Sequence, residues 1–137
     1  MTKVAFTVLM CTHYKDDQNL LRKSIESIFN NSVKPDYFIL TIDGPIPRSN
    51  ENIIKSLSNK YPIQLNIIEK NIGLALALNN ALKLVNTEWV MIGNPYLQTL
   101  DWSRIEADNN FTGGGFMVYN GGWSMQNNLS QLRGAFI

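Results

Sequence analysis

Four short apolar runs, set apart by amphipathic stretches, limit what this chain can fold into more than any other feature. Val4–Met10 ("VAFTVLM") is apolar at almost every position, which suits a strand buried on both faces. Similar runs recur in "VKPDYFILTID" (33–43), "IQLNIIE" (63–69) and "EWVMI" (88–92). Between the first two, Gln18–Asn31 places Leu21, Ile25, Ile28 and Phe29 on one helical face, with Arg22, Lys23 and Glu26 opposite. Asn50–Lys60 carries Ile53, Ile54 and Leu57 at the same spacing, and 71–86 is rich in Ala and Leu. Strands alternating with helices of this length predict an α/β fold: a mostly parallel open sheet flanked by helices on both faces. Asp16 and Asp17 read as caps of the first helix, and Asn71 as a cap or turn residue before the third.

From Gly93 onward both periods weaken. Gly113–Gly115 and Gly121–Gly122 interrupt the segment, and Asn, Gln and Ser are frequent. It reads as loop with one or two short strands, such as "GFMVY" (115–119). The expected organisation is a βα core over 1–92 and a divergent Gly/Asn-rich segment over 93–137 of the same domain. The chain has 137 residues, 45% of them hydrophobic and 17% charged, enough for a buried core and against disorder. A net charge of +1 lacks the basic surplus of a nucleic-acid footprint. The single Cys11 forbids an internal disulfide and fits a reducing compartment. The opening apolar run is too short for a secretory signal. No stretch approaches the roughly 18 apolar residues of a membrane helix, so the expected location is cytoplasmic, or peripheral to a membrane.

In an open parallel sheet, ligands bind outside the carboxyl ends of the strands. Three loops leave those ends: "CTHYKDD" (11–17), "DGP" (43–45) and "EKNIG" (69–73). Together they offer rings, hydroxyls and a carboxylate, an inventory able to hold a nucleoside. Each residue also has a plainer reading. His13 can be solvated, Tyr14 can cover the sheet end, and Asp43 can cap its own turn.

These residues, taken in order, carry a resemblance. Cys11-Thr12-His13-Tyr14, Glu26-Ser27-Ile28, Asp43-Gly44, Asn71-Ile72-Gly73 and Ala77-Leu78-Asn79 resemble the nucleotide-sugar-binding half of family 2 glycosyltransferases of the GT-A fold. The resemblance covers about the first two thirds of the chain. It implies a nucleotide-sugar donor, typically a UDP-sugar, and a glycan or lipid-linked saccharide acceptor, as in polysaccharide biosynthesis. It implies that Asp43 accepts a hydrogen bond from the base, that Thr12 and either His13 or Tyr14 line it, and that Gly44, Asn71, Gly73 and Asn79 complete the nucleotide site. Asp43→Ala is then expected to weaken binding more than folding, because Gly44 and Pro45 keep the turn.

Two departures accompany the resemblance. Many members carry Arg where this chain has Leu78, so a diphosphate contact there is absent or supplied elsewhere. The family also closes its fourth strand with Asp-x-Asp, which holds Mn²⁺ or Mg²⁺ against the diphosphate. Asn94-Pro95-Tyr96 stands in that register without a carboxylate. Glu106 and Asp108, in "RIEAD", are the candidate metal ligands, reached only through an insertion of about a dozen residues; the expectation favours loss of the motif. The chain is also shorter than a whole catalytic domain of the family, which suggests truncation, frameshift or degeneration. The alternative function is therefore a non-catalytic nucleotide-binding or assembly module.

Overall fold

The computed structural model describes residues 5–31, 33–93 and 95, together with the backbone of two strands at 115–119 and 135–136. In chain order the elements are β1 (Phe6–Thr12), α1 (Gln18–Phe29), β2 (Tyr37–Asp43), α2 (Arg48–Lys60), β3 (Ile63–Ile68), α3 (Leu74–Leu82), β4 (Trp89–Gly93), β5 (Gly115–Tyr119) and β6 (Ala135–Phe136). They form one sheet in the order β3-β2-β1-β4-β5-β6. β1 to β4 run parallel. β5 and β6 add antiparallel strands at the far side, and β5 is the expected "GFMVY" strand.

The order dictates where the helices lie. The chain steps outward from β1 to β2 to β3, then returns across β1 to β4. Parallel crossovers are overwhelmingly right-handed, so a reversal of direction moves the connecting helix to the opposite face. The two cores follow. Phe6, Val8 and Met10 of β1 pack with Phe38, Leu40 and Ile42 of β2 against Leu21, Ile25 and Ile28 of α1 and Ile54 and Leu57 of α2. Leu9, Cys11 and Ile39 point the other way, against Ala77, Leu78, Ala81 and Leu82 of α3. All seven residues of β1 are buried, because a central strand covered on both faces has no solvent side.

Helix ends depart from expectation in two places. α2 begins at Arg48, with Pro47 at its N-cap position, where a fixed φ suits helix entry. α3 ends at Leu82 instead of continuing to 86, since Val85 folds back into the α3-side core. Phe29, at the end of α1, stacks on Tyr61 with ring centroids 4.6 Å apart and leans on Phe38 at 5.3 Å. That aromatic group ties the end of α1 to the end of α2. Asp36 anchors the opposite end of the sheet, its Oδ2 accepting from the Phe6 N–H at 2.8 Å.

Candidate nucleotide site at the carboxyl ends of the strands

The switch point between β1 and β4 lies at the middle of the sheet, where an open parallel sheet offers its crevice. The loops after β1, β2 and β3 reach this end, and two buried carboxylates organise them. Asp43, the last residue of β2, is 3% exposed. Its Oδ1 accepts from the Ile72 N–H at 2.8 Å and its Oδ2 from the Gly73 N–H at 3.0 Å. The Asp43 carbonyl accepts from Asn71 Nδ2 at 3.1 Å, and the Gly44 N–H donates to the Ile68 carbonyl at 3.0 Å. Asp43 thus clasps the loop that enters α3.

The clasp explains two glycines. Gly44 has φ +86°, and a Cβ there would stand 2.6 Å from the Asn71 nitrogen. Only a residue without a side chain lets the two loops touch this closely. Gly73 has φ +92° and ψ 159°, a region that is essentially glycine-only, although its Cβ position is open.

The first loop is held by the other carboxylate. Asp17 caps α1, accepting from the Asn19 and Leu20 N–H groups. Asp16 does not cap the helix. It turns inward, 6% exposed, and its Oδ2 accepts from Thr12 Oγ1 at 2.7 Å and the His13 N–H at 3.1 Å. His13 Nε2 lies 3.4 Å from Asp16 Oδ1. Asn50 of α2, also buried, donates to the Asp16 carbonyl at 2.9 Å. Tyr14 is 54% exposed, and its ring meets that of His13 edge-on at 5.8 Å.

The expected site residues therefore fall into three groups. Asp43, Gly44, Asn71 and Gly73 form one hydrogen-bonded clasp, and Thr12, His13 and Tyr14 form the adjacent first loop. Asn79 is half-buried in the second turn of α3; its neighbour Asn80 is the one tied to β3, accepting from Asn66 Nδ2 at 3.0 Å. Two cap readings are corrected: that of Asp16, since Asp17 alone caps α1, and that of Asn71. Asn71 does not cap α3: Gly73 holds that position, with no side-chain cap. Leu78, where a diphosphate contact was expected to be absent or supplied elsewhere, is 1% exposed in the α3-side core. The inward turn of Asp16 and its hold by Asn50 were not legible in the sequence. The only signal was that two adjacent aspartates stood where one suffices as a cap.

The surroundings also govern Cys11. Burial pushes its thiol up from 9.0 to about 12, and the Asp43 carboxylate pushes the same way. Among the described residues no group of three or more His, Cys, Asp and Glu could hold a metal ion. The two organising carboxylates are already engaged by N–H and hydroxyl donors. Glu106, Asp108 and the Asn94 strand-end position lie outside the described residues.

Residues 7–93 match the family described as glycosyl transferase family 2, and the chain belongs to that family. It is 36% identical over 74 residues to the Escherichia coli UDP-Gal:alpha-D-GlcNAc-diphosphoundecaprenol beta-1,3-galactosyltransferase, covering 54% of this chain and 27% of that protein. It is 31% identical over 78 residues to the amylovoran biosynthesis glycosyltransferase AmsE of Erwinia amylovora, covering 57% and 29%. The chain thus spans under a third of these relatives' length. Among solved structures it resembles the mannosyltransferase PcManGT from Pyrobaculum calidifontis in complex with GDP-Man and Mn²⁺, with TM-score 0.60, 19% identity and coverage of 72% and 29%. It also resembles S. aureus TarS in complex with UDP-GlcNAc, with TM-score 0.59, 18% identity and coverage of 69% and 27%. These likenesses establish the glycosyltransferase fold of the sheet and helices.

Proposed function

We propose that this chain binds the nucleotide part of a sugar donor, a UDP-sugar, at the carboxyl ends of β1, β2 and β3, for transfer of the sugar to a glycan or lipid-linked acceptor. The supporting observation is the clasp: Asp43 binds the loop of Ile72 and Gly73 to the end of β2, beside the aromatic first loop. Loops fixed in advance in this way spare the nucleotide the cost of ordering them.

Each group has a task in this reading. Tyr14 and His13 supply ring surface against the base, and base–aromatic stacking contributes about 1–3 kcal/mol. Asp43 keeps unused acceptor lone pairs on both oxygens, so the base N–H can share a carboxylate already fixed in place. The first-turn N–H groups of α3 have no side-chain cap and favour a nearby anion by roughly 0.3–1 kcal/mol. They can serve the diphosphate in place of the contact that Leu78 does not make. A divalent cation supplies leaving-group stabilisation in such transfers, and no group of three or more His, Cys, Asp and Glu among the described residues could hold one.

The test is calorimetric titration of the chain with UDP, with and without Mn²⁺. Saturable binding of UDP that Tyr14→Ala weakens supports the reading. The absence of saturable binding at millimolar UDP, in either condition, would remove it. Dependence on Mn²⁺ would show that the chain supplies a cation site beyond the described residues.

A further inference from the structure

Helix capping does not account for Asp16. Asp17 already caps α1, yet Asp16 buries a carboxylate whose side chain is only 1% exposed. Burying a charged group costs several kcal/mol unless donors compensate it. Donors from the first loop reach it: Thr12 Oγ1 at 2.7 Å and the His13 N–H at 3.1 Å, both on Oδ2. The other oxygen faces His13 Nε2 at 3.4 Å. On the far side of that ring, the Lys15 N–H donates to His13 Nδ1 at 3.1 Å. Nδ1 therefore presents a lone pair, and the ring proton sits on Nε2, towards the carboxylate. A ring hydrogen-bonded at Nδ1 with Nε2 beside the Asp16 carboxylate is restrained, and it offers its surface beside Tyr14 in one attitude. Asn50 holds the Asp16 main chain from α2 at 2.9 Å, which ties this arrangement to the body of the domain.

We propose that Asp16 is a positioning residue of the nucleotide site, fixing Thr12 and the His13 ring in the attitude that meets the base. The inference rests on the reading of the first loop as part of the base wall. Asp16 acts through the groups it holds, His13 above all. Aspartate is required because only a carboxylate accepts on both oxygens. In Asp16→Asn one oxygen becomes a donor and must face the Thr12 hydroxyl and His13 amide or the Nε2–H.

The test uses the whole chain, with UDP as probe and ¹⁵N spectra of the imidazole as a second readout. In these spectra wild-type His13 should show a single Nε2–H tautomer. Asp16→Asn should give a tautomer mixture and weaken UDP binding about tenfold. In a His13→Ala background, Asp16→Asn should cost little further. Asn50→Ala, outside the proposed binding set, should move the same His13 resonances and weaken UDP binding a few-fold, which keeps the claim refutable should Asp16→Asn fail to fold. An unchanged His13 tautomer in a folded Asp16→Asn or Asn50→Ala variant overturns the proposal, as does a loss of affinity that persists undiminished without His13. If wild type binds no UDP, the nucleotide reading fails first, and it fails independently of Asp16.

Discussion

Asp43 ends β2 and Asp16 lies in the loop after the adjacent β1; both carboxylates are buried, but they join parts of the chain at very different separations. Asp16 holds groups three and four residues away, so its bonds shape one loop. Asp43 binds N–H groups 29 and 30 residues away, so its bonds close β2 onto the entry of α3. The difference teaches that one site can combine a long-range clasp, which belongs to the fold, with a local brace, which belongs to the loop. Substitution at Asp43 should therefore fall mainly on stability, and substitution at Asp16 mainly on loop geometry.

The largest expected effect is at the clasp. Asp43→Ala leaves two part-buried N–H groups without their acceptor and should lower unfolding free energy by about 2–4 kcal/mol, since a lost partner costs the full desolvation penalty. Urea denaturation measures it. A loss below about 0.5 kcal/mol would show that the clasp carries no weight and would return Asp43 to a purely ligand-facing role. This reverses the expectation drawn from the turn alone, in which Gly44 and Pro45 preserve geometry without help.

The two glycines sharpen the same contrast. Gly44→Ala combines a positive φ with a 2.6 Å approach to the Asn71 backbone and should cost roughly 2–3 kcal/mol. Gly73→Ala meets nothing within 4 Å, so only backbone strain of roughly 1–2 kcal/mol applies. Melting temperatures should rank wild type, then Gly73→Ala, then Gly44→Ala. The reverse order would mean that the loops are not pressed together at Gly44.

Smaller again is Asp17→Ala, which removes an exposed N-cap and should cost about 1 kcal/mol. Measured beside Asp16→Asn, it separates capping from positioning: Asp17→Ala should leave the His13 spectrum unchanged. The smallest effect concerns Cys11, beneath both carboxylates. Its thiol is pushed from 9.0 up to about 12 by burial first and Asp43 next. A raised thiol pKa means the folded state holds its proton more tightly. The contribution to stability is therefore complete below pH 9.0 and is lost as pH climbs towards about 12. Below that window the thiol is protonated, so native protein should resist alkylation until it unfolds. Rapid labelling of native protein would show that the strand end opens more easily than its burial implies.

How much of this was legible in the sequence depends on the range of the interaction. Leu21, Ile25, Ile28 and Phe29 were readable as the buried face of α1, because a helical period is local and repeats. β5 was readable as a short apolar run, "GFMVY", bounded by glycine clusters. The identity of the cap was not. Asp16 and Asp17 have equal capping propensity, and the choice is made by Thr12 and by Asn50, which is 34 residues away. Nor was the clasp legible, since nothing near Asp43 announces Ile72 and Gly73. Its trace was Gly44 and Gly73, two glycines whose spacing matters only once the strands are paired.

The central claim is that the nucleotide enters where clasp and brace meet. The most direct measurement is a map of backbone amide shifts as UDP is added to the folded chain. The account predicts shifts concentrated at residues 11–17, 43–44 and 71–74, with little change on the groove of about 420 Å³ between α2 and the edge strand β3, where Ile54, Leu65 and Ile67 lie. Shifts centred on that groove, with the Asp16 and Asp43 loops unmoved, would contradict it.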